Sequence, residues 1–227
     1  MTYDALLFDV DGVLLDRHAD HPTVYRRAVA ATFDEFGVSP AEADIGAFVA
    51  GATADEMERR CADHDVAFEA FWRRREANAS ALQREMMDRG ERVLYDDCDV
   101  LRELAADHDM GIVSSNQHAT VVYMLQRFDL ANLFDAVYGR EPTVEGFRLT
   151  KPETHYVDRA IDELGATDAL YVGDSACDVT AAHRAGLDSA FVRRAHREGY
   201  PLPEEPTYEI RSLSDLSDLP SVGSDSP

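Results

Sequence analysis

Lysine is almost absent from this chain. Of its 22 basic residues Lys151 alone is a lysine and the others are arginines, against 44 acidic residues and a net charge of −22. So negative a surface repels phosphate backbones and anionic lipid, and neither a nucleic-acid nor a membrane partner is expected. Cysteine is scarce: Cys61, Cys98 and Cys177 are an odd number at no metal-ligand spacing, which reads as reduced thiols in a cytoplasmic protein. No apolar run nears the roughly 20 residues that cross a bilayer. The opening Met1-Thr2-Tyr3-Asp4 lacks a basic-then-apolar leader. Internal repeats are missing too.

What remains is a globular composition, 45% apolar over 227 residues, enough for one sizeable domain or for one domain with a small insert. Two explanations compete for the charge. A GC-rich coding bias would replace lysine by arginine. An acidic, hydrated surface suits strong brine, where a Debye length of about 3 Å at 1 M salt mutes self-repulsion. The bias does not explain the excess of acids, which favours salt adaptation. Either way one lysine has been retained, and its place matters.

Short apolar runs at residues 5–10, 110–113, 136–138, 169–172 and 189–192 predict buried parallel strands. Among the later ones, residues 118–128, 152–164 and 176–185 keep a helical period, with Pro152 in a first turn and Gly165 and Gly186 past two ends. Strands alternating with helices predict an α/β fold, a doubly wound, mostly parallel, Rossmann-like sheet. From about 22 to 90 no strand is expected. Tyr25, Val29, Thr32, Phe33 and Phe36 follow one helix, Ser39-Pro40-Ala41-Glu42 and Thr53-Ala54-Asp55-Glu56 have capping-box spacing, and Phe68, Phe71, Trp72, Arg75, Ala79, Leu82 and Met86 mark a long last helix. A crossover needs only about a dozen residues, so this is an all-helical insertion. The expected division is a core of 1–16 and 91–219, an insertion of 17–90 and a flexible tail of 220–227.

Ligands of doubly wound sheets bind outside the carboxyl ends of the strands. Those ends deliver Asp9, Asp11 and Gly12, then Ser114, Ser115 and Asn116, then Lys151 ahead of strand four, then Asp174, Ser175 and Asp178. Crowded carboxylates need a cation among them, and all-oxygen ligation suits Mg²⁺. Taken singly, each residue has a plainer reading. An Asp at a strand end starts turns or caps helices, Ser115 is best read as turn chemistry, Asn116 stands between the two readings, and Asp178 suits the first turn of its own helix. His18, His21 and His64 fit no ligand spacing. Phe68, Phe71 and Trp72 read as core of the insertion, and Arg73-Arg74-Arg75 as a solvated face in which one or two residues at most look inward. Cys177, among carboxylates, is expected to be an inert thiol.

In combination the residues say more. Asp9-Val10-Asp11-Gly12-Val13-Leu14 resembles the first motif of the haloacid dehalogenase-like superfamily. Ser114, Lys151-Pro152 and Gly173-Asp174-Ser175-Ala176-Cys177-Asp178 follow in that family's order over nearly the whole chain. The insertion falls where relatives of the phosphoglycolate phosphatase type carry a helical cap. The resemblance implies a Mg²⁺-dependent phosphatase acting on a small phosphorylated metabolite, as monomer or homodimer. It makes Asp9 the nucleophile, Asp11 the general acid and base, and Ser114 and Lys151 catalytic. Ser114, Asn116, Lys151 and Gly12 bind substrate. Asp9, Asp174 and the Asp11 carbonyl hold the metal, with Asp178 supporting them.

Other reactions of that family fit less well. Asp11 counts against dehalogenation, because halide leaves without an acid. The cap has no lysine for the imine of a phosphonate hydrolase, and no span serves a membrane ATPase. A sugar phosphomutase shares Asp9 and Asp11, but commonly has an acid where this chain has Gly173. A non-catalytic phosphate-binding or regulatory protein is the alternative from another class, and its mark would be loss of Asp9, Asp11, Lys151 or Asp174. The loop Gly51-Ala52-Thr53 is expected to select substrate by closing over it. Asp96-Asp97 stands where relatives usually have a Pro-Gly turn.

Overall fold

A computed structural model describes residues 2–17, 21–49, 52–220 and 222. Six parallel strands, β1 (Ala5–Phe8), β2 (Asp109–Gln117), β3 (Ala136–Arg140), β4 (Ala169–Gly173), β5 (Asp188–Val192) and β6 (Tyr208–Ile210), lie in the order β3-β2-β1-β4-β5-β6. Strand β1 is wholly buried because it is covered on both faces. Its residues alternate accordingly. Leu6 and Phe8 join a core with Ile112, Val172, Leu101 and Leu213, while Leu7 joins the opposite one with Val113, Tyr156 and Tyr171.

Five helices belong to this part: α5 (Leu101–Leu104), α6 (His118–Arg127), α7 (Val144–Arg148), α8 (His155–Leu164) and α9 (Ala176–Arg184). Between β1 and β2 come α1 (His21–Glu35), α2 (Glu42–Val49), α3 (Ala54–Ala62) and α4 (Phe68–Asp88). These four have a core of their own, in which the Phe33 and Phe71 ring centroids lie 4.5 Å apart and Phe48 lies 4.9 Å from Phe71. Val144 and Phe147 of α7 pack into it from the sheet side. The chain leaves and re-enters the sheet part side by side. Asp16 N donates to Val93 O at 2.9 Å and Tyr95 N to Leu14 O at 3.0 Å.

Four features differ from the sequence-based expectation. Strand β6 is an edge of three half-covered residues, too short to show a pattern in sequence. Helix α8 starts at His155, because the chain turns through residues 151–154 after a cis Lys151–Pro152 bond, so Pro152 is not in its first turn. Strand β2 runs on to Gln117, with its register shifting beyond Ser114, and Ser115 therefore sits in a strand and not a turn. Val222, placed in the expected tail, is buried, and its carbonyl accepts from His108 Nε2 at 3.0 Å. Residues 221 and 223–227 of that tail, His18, the His21 side chain and Gly51 of the expected closing loop lie outside the described residues. Among the described residues no helix is long and apolar enough to cross a membrane.

Candidate active site

The sheet order reverses about β1, with β2 on one side and β4 on the other, and the carboxyl ends of these strands open onto a cleft of about 380 Å³. Asp9 follows β1, Ser114 sits in β2 and Asp174 follows β4. Lys151 comes from the turn before α8. Its buried Nζ lies 3.0 Å from Asp9 Oδ1 and 2.6 Å from Asp178 Oδ1, and donates to Tyr171 Oη at 2.7 Å and Val113 O at 3.1 Å. Burial disfavours its charge, but Asp178 and Asp9 outweigh that and hold the ammonium protonated well above the usual lysine range.

Asp9, Asp174 and Asp178 each offer a carboxylate oxygen, all within 4.8 Å of one another and all buried. Burial pushes Asp9 up to about 7, against the pull of Lys151 and with the added repulsion of Asp178, Asp174 and Asp11. Apart from the Lys151 ammonium, Asp9 Oδ1 and Asp178 Oδ1 have no hydrogen-bond donor. Three clustered buried carboxylates, two of them with an oxygen that meets only the ammonium, form the hard oxygen donor set that suits Mg²⁺.

Asp178 fills both of the places open to it. Its Oδ2 accepts from Ser175 N at 2.9 Å and Asp174 N at 3.1 Å, closing the capping box of α9, while Oδ1 faces Lys151. Asp174 is buried, which would raise its pKa. His196 Nε2 at 2.7 Å and Arg197 Nε at 2.8 Å from its Oδ2 instead hold it below the usual carboxylate range.

Asp11 turns away from this cluster. Its carboxylate pairs with the buried guanidinium of Arg92 and accepts from Asn116 Nδ2 at 2.7 Å. Asn116 is fixed in turn by Gln83 of α4, whose Nε2 donates to Asn116 Oδ1 at 3.1 Å. Asn116, which lines the cleft, thus bonds through its amide to Asp11 and Gln83. Ser114 Oγ accepts from Asn116 N at 3.2 Å, which leaves its proton for the cleft. Gly12 lies in the loop after β1. Its N–H donates to Leu15 O at 2.8 Å within the loop, and its contribution is space, since a Cβ there would stand 2.3 Å from Asp174 Oδ2. At Gly173 a Cβ would stand 2.3 Å from Asp178 Cβ, so the acid common in phosphomutases has no room.

Other readings sort out by environment. His64 pairs with Asp44 at 3.1 Å and packs on Phe33, inside the insertion. Partial burial, then Asp178, raises the Cys177 thiol, as an inert group requires. Of the basic run, Arg73 and Arg74 pair with Glu69 and Glu35 on the exposed face. Arg75 is buried, the one residue of the run that looks inward. Asp97 accepts from Arg194, Ser212 Oγ and Leu213 N, binding the 3-10 turn Asp96–Val100 to the C-terminal segment. Sequence reasoning missed Arg17, Tyr25, Arg140 and Arg197, which line the cleft, and Arg92 and His196, which pair with Asp11 and Asp174; they lie in no motif, and only the fold distinguishes them from other residues of their kinds.

The family model described as haloacid dehalogenase-like hydrolase matches residues 6–192. An (S)-2-haloacid dehalogenase of Pseudomonas fluorescens is 26% identical over 125 residues, 54% of this chain and 53% of that protein, so the match spans about half of that relative's length. Phosphoglycolate phosphatase 1 of Pseudomonas aeruginosa is 27% identical over 218 residues, 93% of this chain and 77% of the relative. The crystal structure of the hydrolase YfnB from Bacillus subtilis bound to magnesium shares the fold with a TM-score of 0.59 at 20% identity, over 96% of this chain and 98% of that one.

Proposed function

Because the chain belongs to the haloacid dehalogenase-like hydrolase family, we propose that it is a Mg²⁺-dependent phosphatase of small phosphomonoesters, phosphoglycolate among the candidates. The observation that carries this reading is the bridge of one buried ammonium between Asp9 and Asp178, with Asp174 in the same cluster, at the ends of adjacent strands. Asp9, Asp174 and the Asp11 carbonyl would hold the ion, with Asp178 behind them. Bound there, Mg²⁺ would neutralise phosphoryl charge and orient the ester.

The chain's own groups do the rest. The Asp9 carboxylate attacks phosphorus as the ester oxygen leaves, giving an aspartyl-phosphate. Asp11, oriented by Asn116, gives its proton to the departing alkoxide and then takes one from the water that hydrolyses the intermediate. Lys151 reduces the repulsion between nucleophile and ester, and the Ser114 hydroxyl donates to a phosphoryl oxygen. Residues 17–90 act as a cap, with 1–16 and 91–219 as the catalytic core, in a cytoplasmic enzyme. The relative's name supports phosphate-ester hydrolysis. Asp11 speaks against dehalogenation, and the crowding at Gly173 favours a hydrolase over a phosphomutase.

Hydrolysis of p-nitrophenyl phosphate with Mg²⁺ in molar KCl tests the reading. Turnover is expected to vanish with EDTA and to fall about a thousandfold or more in Asp9→Asn, as loss of a nucleophile does. An unimpaired Asp9→Asn enzyme refutes it.

A further inference from the structure

Beside the Asp9 cleft lies a second cavity, of about 390 Å³, reaching into the helical insertion; Arg17, Tyr25, Arg140 and Phe147 wall both. Among the described residues its lining has three arginines, Arg17, Arg75 and Arg140, and no carboxylate, in a chain with twice as many acids as bases. That reverses the composition of the whole molecule.

The arginines are built in. Arg75 and Arg140 are buried and share the buried carboxylate of Glu76, with Arg140 Nε and Nη2 each 3.0 Å from its oxygens. Two guanidinium groups on one carboxylate leave a positive charge in excess. The Arg75 guanidinium is clamped by rings, 4.7 Å from the Tyr25 centroid and 5.0 Å from that of Trp72. Two donors on this wall, Arg75 Nε and Trp72 Nε1, are buried and have no hydrogen-bond partner. Buried N–H groups left open beside an uncompensated charge are costly unless an acceptor of opposite charge completes them.

We propose that this cavity is an oxyanion subsite for a second anionic group, a carboxylate or a phosphate, carried by the leaving alcohol of the ester; the assignment rests on the phosphatase reading of the Asp9 cleft. The guanidinium fork matches the paired oxygens of either group, and the Trp72 N–H adds a donor beside it. The volume is that of an ordinary small-molecule site, and it has room for a leaving group longer than glycolate. Arg17, on both walls, lies at the junction.

The test is selectivity. kcat/KM is measured with Mg²⁺ for three esters: glycerol 3-phosphate with a neutral leaving alcohol, 3-phosphoglycerate with a carboxylate, and 1,3-propanediol bisphosphate with a phosphate. At least one anionic ester is expected to exceed the neutral one by about tenfold or more, the scale of a charge-assisted hydrogen bond, and the better of the two identifies the group. Arg75→Gln is expected to lower that ratio about tenfold, and Arg75→Lys to restore little of it, since one ammonium lacks the fork. Trp72→Phe keeps the ring but loses the donor, and is expected to lower the ratio severalfold. If Arg75→Gln does not fold, the wild-type ratio and Trp72→Phe still decide. Equal kcat/KM for the three esters, turnover of p-nitrophenyl phosphate alone, or a preference untouched by these variants overturns the subsite while the phosphatase reading stands. No turnover of any ester overturns both.

Discussion

A single side chain can serve two purposes when its oxygens face different ways. Asp178 closes a capping box with one and neutralises Lys151 with the other, so the helix cap and a place in the carboxylate cluster fall to the same residue. Asp97 is a simpler case. Burial would raise its pKa, but the donors Arg194, Leu213 N and Ser212 outweigh burial and hold it below the usual carboxylate range. A depressed folded pKa means stability that is present above the ordinary value, about 3.9, and is lost as pH falls through the lower folded one. Asp97→Asn is therefore expected to be less stable than wild type at pH 7, with the gap closing below about pH 4. Urea unfolding at several pH values checks this; a gap independent of pH would remove the ionic account.

At the scale of the element, the loop after β1 is shaped by what its neighbour needs. Val13, Leu14 and Leu15 N–H groups all turn back onto Val10 O, and Gly12 takes φ +87°, open to glycine but not to residues with a Cβ. The same residue leaves the space that the Asp174 carboxylate fills. Gly12→Ala meets both obstacles. It is expected to cost about 1–3 kcal/mol, to lower Tm by several degrees, and to cut phosphatase turnover through displacement of Asp174. An unchanged Tm would show that the loop relaxes freely. Helix α4 works over a longer range, reaching from the aromatic core of the insertion at Phe71 and Trp72 to Gln83, which fixes Asn116 beside Asp11.

Across the whole molecule the dominant quantity is the charge of −22. Self-repulsion of that size opposes the compact state in dilute buffer and is screened within about 3 Å at 1 M salt. The thermal midpoint is expected to climb between 0.1 and 2 M KCl, and a flat or falling series would count against salt adaptation. Buried pairs such as Lys151–Asp9 are screened far less than surface ones, so the site should keep its geometry across that series. The positive second cavity is the counterpart of this surface: an anionic substrate that the exterior repels meets arginine inside.

The sheet, the order of its strands' chemistry and most of the cleft were legible in one dimension. Parallel strands buried on both faces must be continuous apolar runs, and Asp9, Ser114 and Asp174 stand at their carboxyl ends. Lys151 was conspicuous as the only lysine. What chain order could not express is which partner each arginine meets. The helical period sets Arg75 on the line of Phe71, Trp72 and Ala79, turned from Arg73 and Arg74 by the roughly 100° that each residue advances around a helix, and the packing of α4 against Tyr25, with Glu76 beside it on α4, makes it a buried, paired charge. Arg92, Arg140 and Arg197 likewise gain their meaning from partners far away in sequence, Asp11, Glu76 and Asp174, because an ion pair is fixed by distance in space and leaves no period or spacing in the chain.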